Sequence, residues 1–436
     1  MATPIKNRED ILAKLGIEEL NDMQKEAHAA IYKSSDVVLL SPTGTGKTLA
    51  FLLPVIDEMN PDETDVQVLI LVPSRELAIQ IESVIREMGT GYKCNAVYGG
   101  QSFNQDRINL KHPPAIIVGT PGRVADHMRR GIFNTSQIKT LILDEYDKAL
   151  EVGFEDEMDE ICSNLKYISK RILTSATKET QIPPFVGLRT PTVIDYSSKG
   201  VPKLAIKTII SPTKDKLDTL VKTLCHLGNQ PGIIFCNFKD SIQRVSEFLE
   251  EKGIPHGCFY GGMEQLDREN ALIKFRNGTH QLILATDLAA RGLDVPEIKF
   301  IIHYHMPMKA HEFTHRNGRT ARMKSDGTAY VLQSEGETLP EYFKVKEIET
   351  LVDAPLPVAS KWKTIYITGG RRDKISKGDI AGLCFKQGGL TKDQLGVIEI
   401  KQDNAYFAVD KAIALDLVRA IDGTRLKKAK LRVSIT

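Results

Sequence analysis

The segment SPTGTGKT, residues 41–48, packs two glycines, a lysine and four hydroxyls between an apolar run, DVVLL (36–40), and the start of a helical stretch at Leu49. Residue types at that spacing suit phosphate binding. Gly44 and Gly46, flanking Thr45 and preceded by Thr43, let backbone amides curl around phosphate oxygens. Lys47 would reach the terminal phosphates of a nucleotide, and the Thr48 hydroxyl would join Mg²⁺. Ser41 stands where the strict pattern has its first glycine. An ordinary Gly-rich turn is the bland alternative; GKT between a strand and a helix favours the nucleotide. A second segment, LILDEYDKAL (141–150), ends an apolar run in Asp144–Glu145. Asp144 can hold Mg²⁺, directly or through water, and Glu145 can polarise a water that attacks a terminal phosphate. In isolation the pair would read as a solvated acidic turn. A phosphate loop upstream in the same unit decides against that.

Short apolar strands must position these loops. DVVLL, VLILV (68–72), AIIVG (115–119), TLILD (140–144), RILTS (171–175) and TVIDY (192–196) alternate with helical stretches such as RELAIQIESVIREMG (75–89). β-branched runs separated by helices predict α/β with a parallel sheet, whose ligands bind at the carboxyl ends of the strands. SSKGVPKL (197–204) reads as a linker. A second α/β series follows: GIIFCN (232–237), GCFYG (257–261), QLILATD (281–287), KFIIHYH (299–305) and TAYVLQ (328–333). The last segment changes pattern: strand KTIYIT, helix KGDIAGLCFKQ, paired strands GVIEIKQ and AYFAVD, helix AIALDLVRAIDG, strand KLRVSIT. That β-α-β-β-α-β order is ferredoxin-like, an arrangement shared by RNA-recognition modules. The expected division is 1–200 for the ATP-binding domain, 205–345 for a second parallel-sheet domain, and 362–436 for a C-terminal α+β domain.

The totals agree. At 436 residues the chain is too long for one ordinary core. No apolar run nears the ~20 residues that span a bilayer, and the first residues lack the apolar stretch of a secretory signal. The six cysteines include no CxxC pair, which fits reduced thiols rather than zinc or disulfides. A cytoplasmic protein with no membrane association is expected. The net charge of +2 hides an asymmetry: from Lys361 onward 16 basic residues face 8 acidic ones, and the rest holds 42 basic and 48 acidic. A basic tail on a mildly acidic body suits a polyanionic partner, a solubilising charged surface being the alternative.

Together with SPTGTGKT the chain shows PSRELA (73–78), GG (99–100), TPGR (120–123), DEYD (144–147) and SAT (175–177). It then shows IIFCN (233–237), YGGMEQLDR (260–268), ATDLAARGLD (285–294) and HRNGRTAR (315–322). This ordered series resembles the DEAD-box RNA helicases over residues from about 15 to 335. The resemblance implies two RecA-like domains with ATP and RNA bound across the cleft between them. It implies that Gln24 reads the adenine edge, that Asp294 lies near the ribose, and that Ser175 and Thr177 couple ATP state to RNA binding. Arg319 and Arg322 match the arginine fingers, worth on the order of 10³- to 10⁵-fold in rate in such enzymes; His315 and Arg316 would lie at the closed interface. RNA phosphates would be gripped by Arg75, Gly100, Thr120, Arg123, Arg268 and Thr286 without sequence reading. Each of these has a capping or turn role as its rival.

Departures from the family pattern are visible. Tyr146 replaces the alanine of the name-giving motif, and a phenol in place of a methyl group requires adapted packing, expected near Ser175. Ile17 replaces an aromatic, Leu20 and Asp22 replace prolines, Asn317 replaces an apolar residue, and Ala321 a glycine.

Residues 362–436 resemble the RNA-binding domain of the DbpA group, which implies an RRM-like fold tethered to large-subunit ribosomal RNA in pre-ribosomal particles. Arg371, Arg372, Lys374 and Lys377 form one basic loop there, and Lys427, Lys428 and Lys430 a second cluster suited to phosphates. Strand alternation puts Tyr366 opposite its isoleucine neighbours and Tyr406 opposite Phe407, so stacking on RNA and core packing stand at even odds for each aromatic. The expected function is a monomeric ATP- and Mg²⁺-dependent RNA helicase that opens duplexes locally during ribosome assembly. An ATP-gated RNA clamp or scaffold is the alternative, and a DNA-directed motor a second one; intact Glu145, Arg319 and Arg322 argue for hydrolysis.

Overall fold

The computed structural model describes residues 7–42, 44–176, 178, 181–197, 204–287, 298–320 and 327–436. Contacts gather them into two compact units, one holding residues up to 197 and the other residues from 204 onward.

In the first unit seven strands form one sheet: β1 (Asp36–Leu40), β2 (Val68–Leu71), β3 (Cys94–Val97), β4 (Ile116–Gly119), β5 (Thr140–Leu143), β6 (Lys170–Ser175) and β7 (Thr192–Asp195), in the order β3-β4-β2-β5-β6-β1-β7. Every pairing is parallel. β1, β2, β4 and β5 are buried along their whole length, because helices cover both faces; hence their continuous apolar sequence rather than an alternating one. One core layer packs the helices Asp22–Lys33, Lys47–Glu58 and Arg75–Met88 on the sheet, and the other the helices Pro121–Arg129 and Glu155–Asn164.

Register then fixes the chemistry. β6 lies between β5 and β1, with Leu40 opposite Ser175 and Leu143 opposite Leu173. The residue after β5, Asp144, is therefore level with Thr174, and the loop after β1 leaves beside Ser175.

The second unit contains a six-stranded parallel sheet, β8 (Leu204–Ser211), β9 (Gly232–Phe235), β10 (Gly257–Phe259), β11 (Leu282–Ala285), β12 (Phe300–His303) and β13 (Gly327–Ser334), ordered β10-β11-β9-β12-β13-β8. The same unit holds an antiparallel sheet built from β14 (Trp362–Thr368), β15 (Leu395–Ile400), β16 (Asn404–Asp410) and, after a short hairpin of β17 (Arg425–Leu426) and β18 (Ala429–Lys430), β19 (Val433–Ile435). Its order is β15-β16-β14-β19, and the helices Lys377–Lys386 and Ala414–Ile421 pack on one face around Ile365, Ile367, Phe407 and Val409. Two RecA-like parallel-sheet domains and an α+β RRM-like tail are the observed architecture.

Besides the short tail hairpin of β17 and β18, two strands of the parallel sheets are absent from the sequence reading. β3 is a short edge strand whose first three residues are only half buried, so it carries no apolar run. β8 begins at Leu204, where the linker was expected to end; it is an edge strand with Lys207 at its centre, ion-paired to Glu349 at 2.6 Å. Most of that linker, residues 198–203, lies outside the described residues.

Candidate nucleotide site and RNA-contact surfaces

The loop after β1 is built by backbone conformation. Gly44 and Gly46 have φ of 81° and 87°, a region that L side chains avoid. Gly46 closes the loop as N-cap of the helix Lys47–Glu58, which has no side-chain cap bond, so the first amides of that helix face the loop. The Lys47 ammonium lies across the loop, donating to the carbonyls of Ser41 at 2.6 Å and Pro42 at 2.9 Å. Ser41 is buried; its hydroxyl is 2.8 Å from that of Thr45. A side chain in place of the usual glycine at position 41 thus adds a second brace.

Gln24, expected at the adenine edge, reaches the phosphate loop. Its Oε1 accepts from the Asn21 amide at 3.0 Å, and its Nε2 donates to the Gly46 carbonyl at 3.2 Å. A Cβ at Gly46 would lie 2.5 Å from that Nε2. Asn21 caps the helix Asp22–Lys33 and reaches the Thr45 carbonyl with its own amide at 3.1 Å. Both side chains therefore hold the phosphate loop from behind. Asn21 is a site residue that motif reading missed, although its capping-box spacing to Gln24 was visible.

Asp144 is buried, and Thr174 donates its hydroxyl to the Asp144 carboxylate. Burial and the neighbouring Glu145 charge push Asp144 up to about 6, and the Thr174 bond and Lys47 offset them only partly. Glu145 sits at φ 52°, ψ 47°, a left-handed conformation rare for a residue with a side chain; its amide donates to Thr174 Oγ1 at 3.1 Å. Thr174 thus ties the Asp144 carboxylate to the backbone of Glu145, and only strand register reveals it. The Asp147 carboxylate is held by Ser175. Tyr146 is buried within the apolar layer around Val186 and Leu173, and burial raises its phenol to about 12.

A buried carboxylate pushed upward beside a second one is the environment a divalent cation relieves. Oxygen ligands from Asp144 and Thr48 suit Mg²⁺, and the amides of Gly44 to Lys47 suit polyphosphate. The residues present fit both groups.

A second cluster forms at the ends of β2, β3 and β4. Ser74 caps the helix Arg75–Met88, and the Arg75 guanidinium lies over Gly99–Gly100: a Cβ at Gly100, whose φ is +93°, would meet Nη1 at 2.5 Å. Thr120 caps the helix Pro121–Arg129 with Pro121 at its first position. Arg123 turns inward, its Nε donating to the Tyr98 carbonyl at 3.1 Å and its Nη2 to that of Gln101, so it clips the glycine loop in place. Beneath it Asp106, also buried, lies 3.6 Å from Arg123 Nε and 3.1 Å from His127 Nε2. Asp106 and His127 are further residues that the motifs did not reveal. The structure brings Arg75, Gly100, Thr120 and Arg123 together, with Arg123 as a brace rather than an outward-facing cation.

In the second unit Arg268 stacks over the Phe259 ring at 4.9 Å, and the Thr286 amide donates to the Phe259 carbonyl at 3.4 Å. His315, Arg316 and Arg319 belong to the helix Ala310–Asn317 and its end. The Arg316 side chain is 1% exposed. It reaches Asp287 at 2.6 and 2.5 Å, the His305 carbonyl at 2.6 Å and Asn237 Oδ1 at 2.8 Å. A guanidinium so enclosed ties together the chain ends after β9, β11 and β12. Arg319 is largely buried, and the His315 ring lies 6.0 Å from that of His311. Asn317, the departure from the apolar pattern, accepts with its Oδ1 from His303 Nε2 at 2.9 Å inside the core. Thr43, Thr177, Asp294 and Arg322 lie outside the described residues.

In the tail, Phe407 is core, whereas Tyr366 and Tyr406 pair edge-to-face at 5.3 Å on the opposite face of the sheet. Arg371, Arg372 and Lys374 are exposed, with Arg372 ion-paired to Asp403 at 2.7 Å.

Comparisons with known proteins agree with this geometry. Residues 21–183 match the DEAD/DEAH box helicase family, 215–324 the helicase conserved C-terminal domain, and 364–435 the DbpA RNA binding domain. The ATP-dependent RNA helicase DbpA of Bacillus subtilis is 30% identical, with 97% of this chain and 96% of the relative covered. DbpA of Escherichia coli gives the same identity and coverage. Among solved structures, S. cerevisiae Dbp5 bound to RNA and ADP BeF3 superposes with a TM-score of 0.66 at 25% identity, covering 76% of this chain and 88% of that one. Mss116 bound to ssRNA and UDP-BeF shares the fold at 22% identity and a TM-score of 0.68, over 79% and 77%. A phosphate loop beside paired carboxylates, a second RecA-like domain and a basic RRM-like tail occur in one continuous match, and the chain belongs to the DEAD-box ATP-dependent RNA helicases that carry a DbpA RNA-binding domain.

Proposed function

We propose that this protein is an RNA-stimulated ATPase that separates short RNA duplexes locally while its tail holds it on large-subunit ribosomal RNA during ribosome assembly. It acts as a cytoplasmic monomer whose working parts are residues 1–200, 205–345 and 362–436. The observation that carries the reading is the adjacency of the uncapped phosphate loop, Asp144–Glu145 and Ser175 in a chain matched end to end by DbpA helicases.

Lys47 exchanges its bonds to Ser41 and Pro42 for the terminal phosphates of ATP, while the amides of Gly44 to Lys47 cradle them. Thr48 and Asp144 would hold Mg²⁺, which would supply charge neutralisation on the phosphates. Glu145 takes the proton from the attacking water, its position fixed by the Thr174 bond to its amide. Arg319 and Arg322 complete the site with positive charge, which makes hydrolysis conditional on the arrangement of the two core domains. Thr43, Thr45 and Asp294 line the nucleotide, and Gln24 senses it by its hold on Gly46. Ser175, Thr177 and His315 couple nucleotide to RNA, and Arg316 does so through the strand ends that it ties. Arg75, Gly100, Thr120, Arg268 and Thr286 grip RNA phosphates, with Arg123 keeping the glycine loop in shape; Arg371, Arg372 and Lys374 bind the tethering RNA.

Steady-state ATPase at fixed salt, without RNA, with generic RNA and with a large-subunit ribosomal RNA fragment, tests the reading. Preference for the ribosomal fragment, lost in Arg371→Glu/Lys374→Glu, is expected. Equal stimulation by any RNA would remove the ribosomal assignment, and no turnover with any RNA would favour the clamp.

A further inference from the structure

The face of the tail sheet that carries no helices is covered. Trp362, Thr364 and Tyr366 on β14, Tyr406 and Ala408 on β16, and Glu399 on β15 share that face by alternation and register. Thr364 and Ala408 are nevertheless 0% exposed and Tyr406 only 5%. What lies against them is the helix Gln265–Arg276 of the parallel-sheet domain and the turn that follows it. Arg276 grips Glu399 with both forks, Nε at 3.0 Å and Nη2 at 2.7 Å. Lys401 extends the pair, 3.1 Å from Glu399 and 3.8 Å from Glu269. Asn277 Nδ2 donates to Thr364 Oγ1 at 2.9 Å, and the Thr279 hydroxyl is 2.8 Å from the same oxygen. Gly278, at φ +79°, lets the turn approach Trp362: a Cβ there would lie 3.3 Å from the indole. On its other side the indole rests on Gly396, where a Cβ would be 3.4 Å away.

These contacts are of a kind that a loose tether does not make. A buried threonine hydroxyl shared by two partners and a bidentate arginine–carboxylate pair are directional, and separating them strands polar groups that the face was shaped to satisfy. Two glycines leave room for one indole. The helix that makes the clamp also carries Arg268. The basic loop of the tail adjoins the clamp at Lys401, where Arg371 and Arg372 donate their amides to the Lys401 and Gln402 carbonyls.

We propose that the second parallel-sheet domain and the tail are one rigid RNA-binding body, clamped through the open face of the tail sheet by the helix Gln265–Arg276 and its following turn. RNA seated on Arg371 and Lys374 is then held at a fixed position relative to Arg268, and Tyr366 and Tyr406 serve the clamp rather than base stacking. The part that concerns RNA rests on the function proposed above.

Trp362 is the single tryptophan of the chain, so its fluorescence reports the clamp in the full-length protein. Three proteins are compared: unaltered, Arg276→Glu, and Arg276→Glu with Glu399→Arg. Each is probed by acrylamide quenching and by apparent affinity for two RNAs, a short single strand and the same strand joined to a large-subunit ribosomal hairpin. Arg276→Glu is expected to expose Trp362 and to lose about tenfold of the affinity gained by joining the two RNAs, because a fixed geometry becomes a flexible link. Affinity for the short strand stays unchanged, and the charge-swapped protein recovers both properties. Equal quenching in the unaltered and Arg276→Glu proteins would overturn the clamp, as would a swapped protein no better than the single variant. If the unaltered protein shows no RNA-stimulated turnover, the proposed function fails, while Trp362 still decides whether the two bodies are clamped.

Discussion

In the first unit the reactive loop is held mainly by backbone: positive-φ glycines, an uncapped helix start, and carbonyls that accept from Asn21, Gln24 and Lys47. In the second, the helix Ala310–Asn317 is held by side-chain bonds to the ends of three strands. Arg316 spans Asp287, Asn237 and the His305 carbonyl, and Asn317 meets His303. Both domains share the parallel-sheet plan. One stores its geometry in conformation, the other in a polar network that is costly to break and sensitive to protonation.

The largest test of that contrast removes one group from each side. Glu145→Gln should lower ATP turnover by about 10²- to 10⁴-fold while nucleotide affinity, read by a fluorescent analogue, stays close to that of the unaltered protein. Near-normal turnover would remove Glu145 from the chemistry. Arg316→Met, in contrast, should act on stability. Losing the guanidinium strips Asn237, the His305 carbonyl and the half-buried Asp287 of their shared partner, at a cost of about 1–3 kcal/mol, and hydrogen exchange should show lost protection in residues 232–320 with none lost around Val37 and Ile142. Protection lost evenly across both units would contradict the separation drawn here.

Acid sharpens the same contrast. Burial holds the His303 imidazole down to about 3, and burial with nearby cations holds His280 and His305 at about 4. In the unfolded chain each takes up a proton near 6.5. Their contribution to stability is therefore full above that pH and is lost as pH falls toward 4, at up to about 4 kcal/mol per pH unit for the three together. The second unit should open at higher pH than the first, as followed by exchange on an acid series; simultaneous opening would count against it. Smaller still, Asp106→Asn should weaken RNA-stimulated ATPase several-fold in RNA concentration and leave basal turnover alone, because Arg123 and His127 lose the charge that orients them. An equal fall in basal turnover would make Asp106 a general stability residue.

Motif order made the first site legible because its logic is local. Glycine, lysine and hydroxyl within SPTGTGKT act on one ligand, and strands such as VLIL announce burial by composition. Thr174 escaped notice because its role follows from strand register, with β6 lying beside β5. Asn237, Asp287 and His305 escaped because each is a plain polar residue after a strand until Arg316 gathers them. The motifs of Arg316 and Arg123 do not reveal the inward partners that both have. The covered sheet face was invisible for the same reason: Thr364 and Glu399 have no meaning apart from Arg276 and Asn277, more than eighty residues earlier in the chain.

The left-handed backbone at Glu145 (φ 52°) has an evolutionary consequence. Glycine or asparagine would rest there more comfortably, by about 1 kcal/mol, so under the role proposed for Glu145 the most stable version of this turn would be an inactive one. On that proposal, continued demand for hydrolysis keeps the glutamate in place. A lineage using the fold merely to hold RNA would drift toward glycine at 145, gaining a sturdier protein as it gave up turnover.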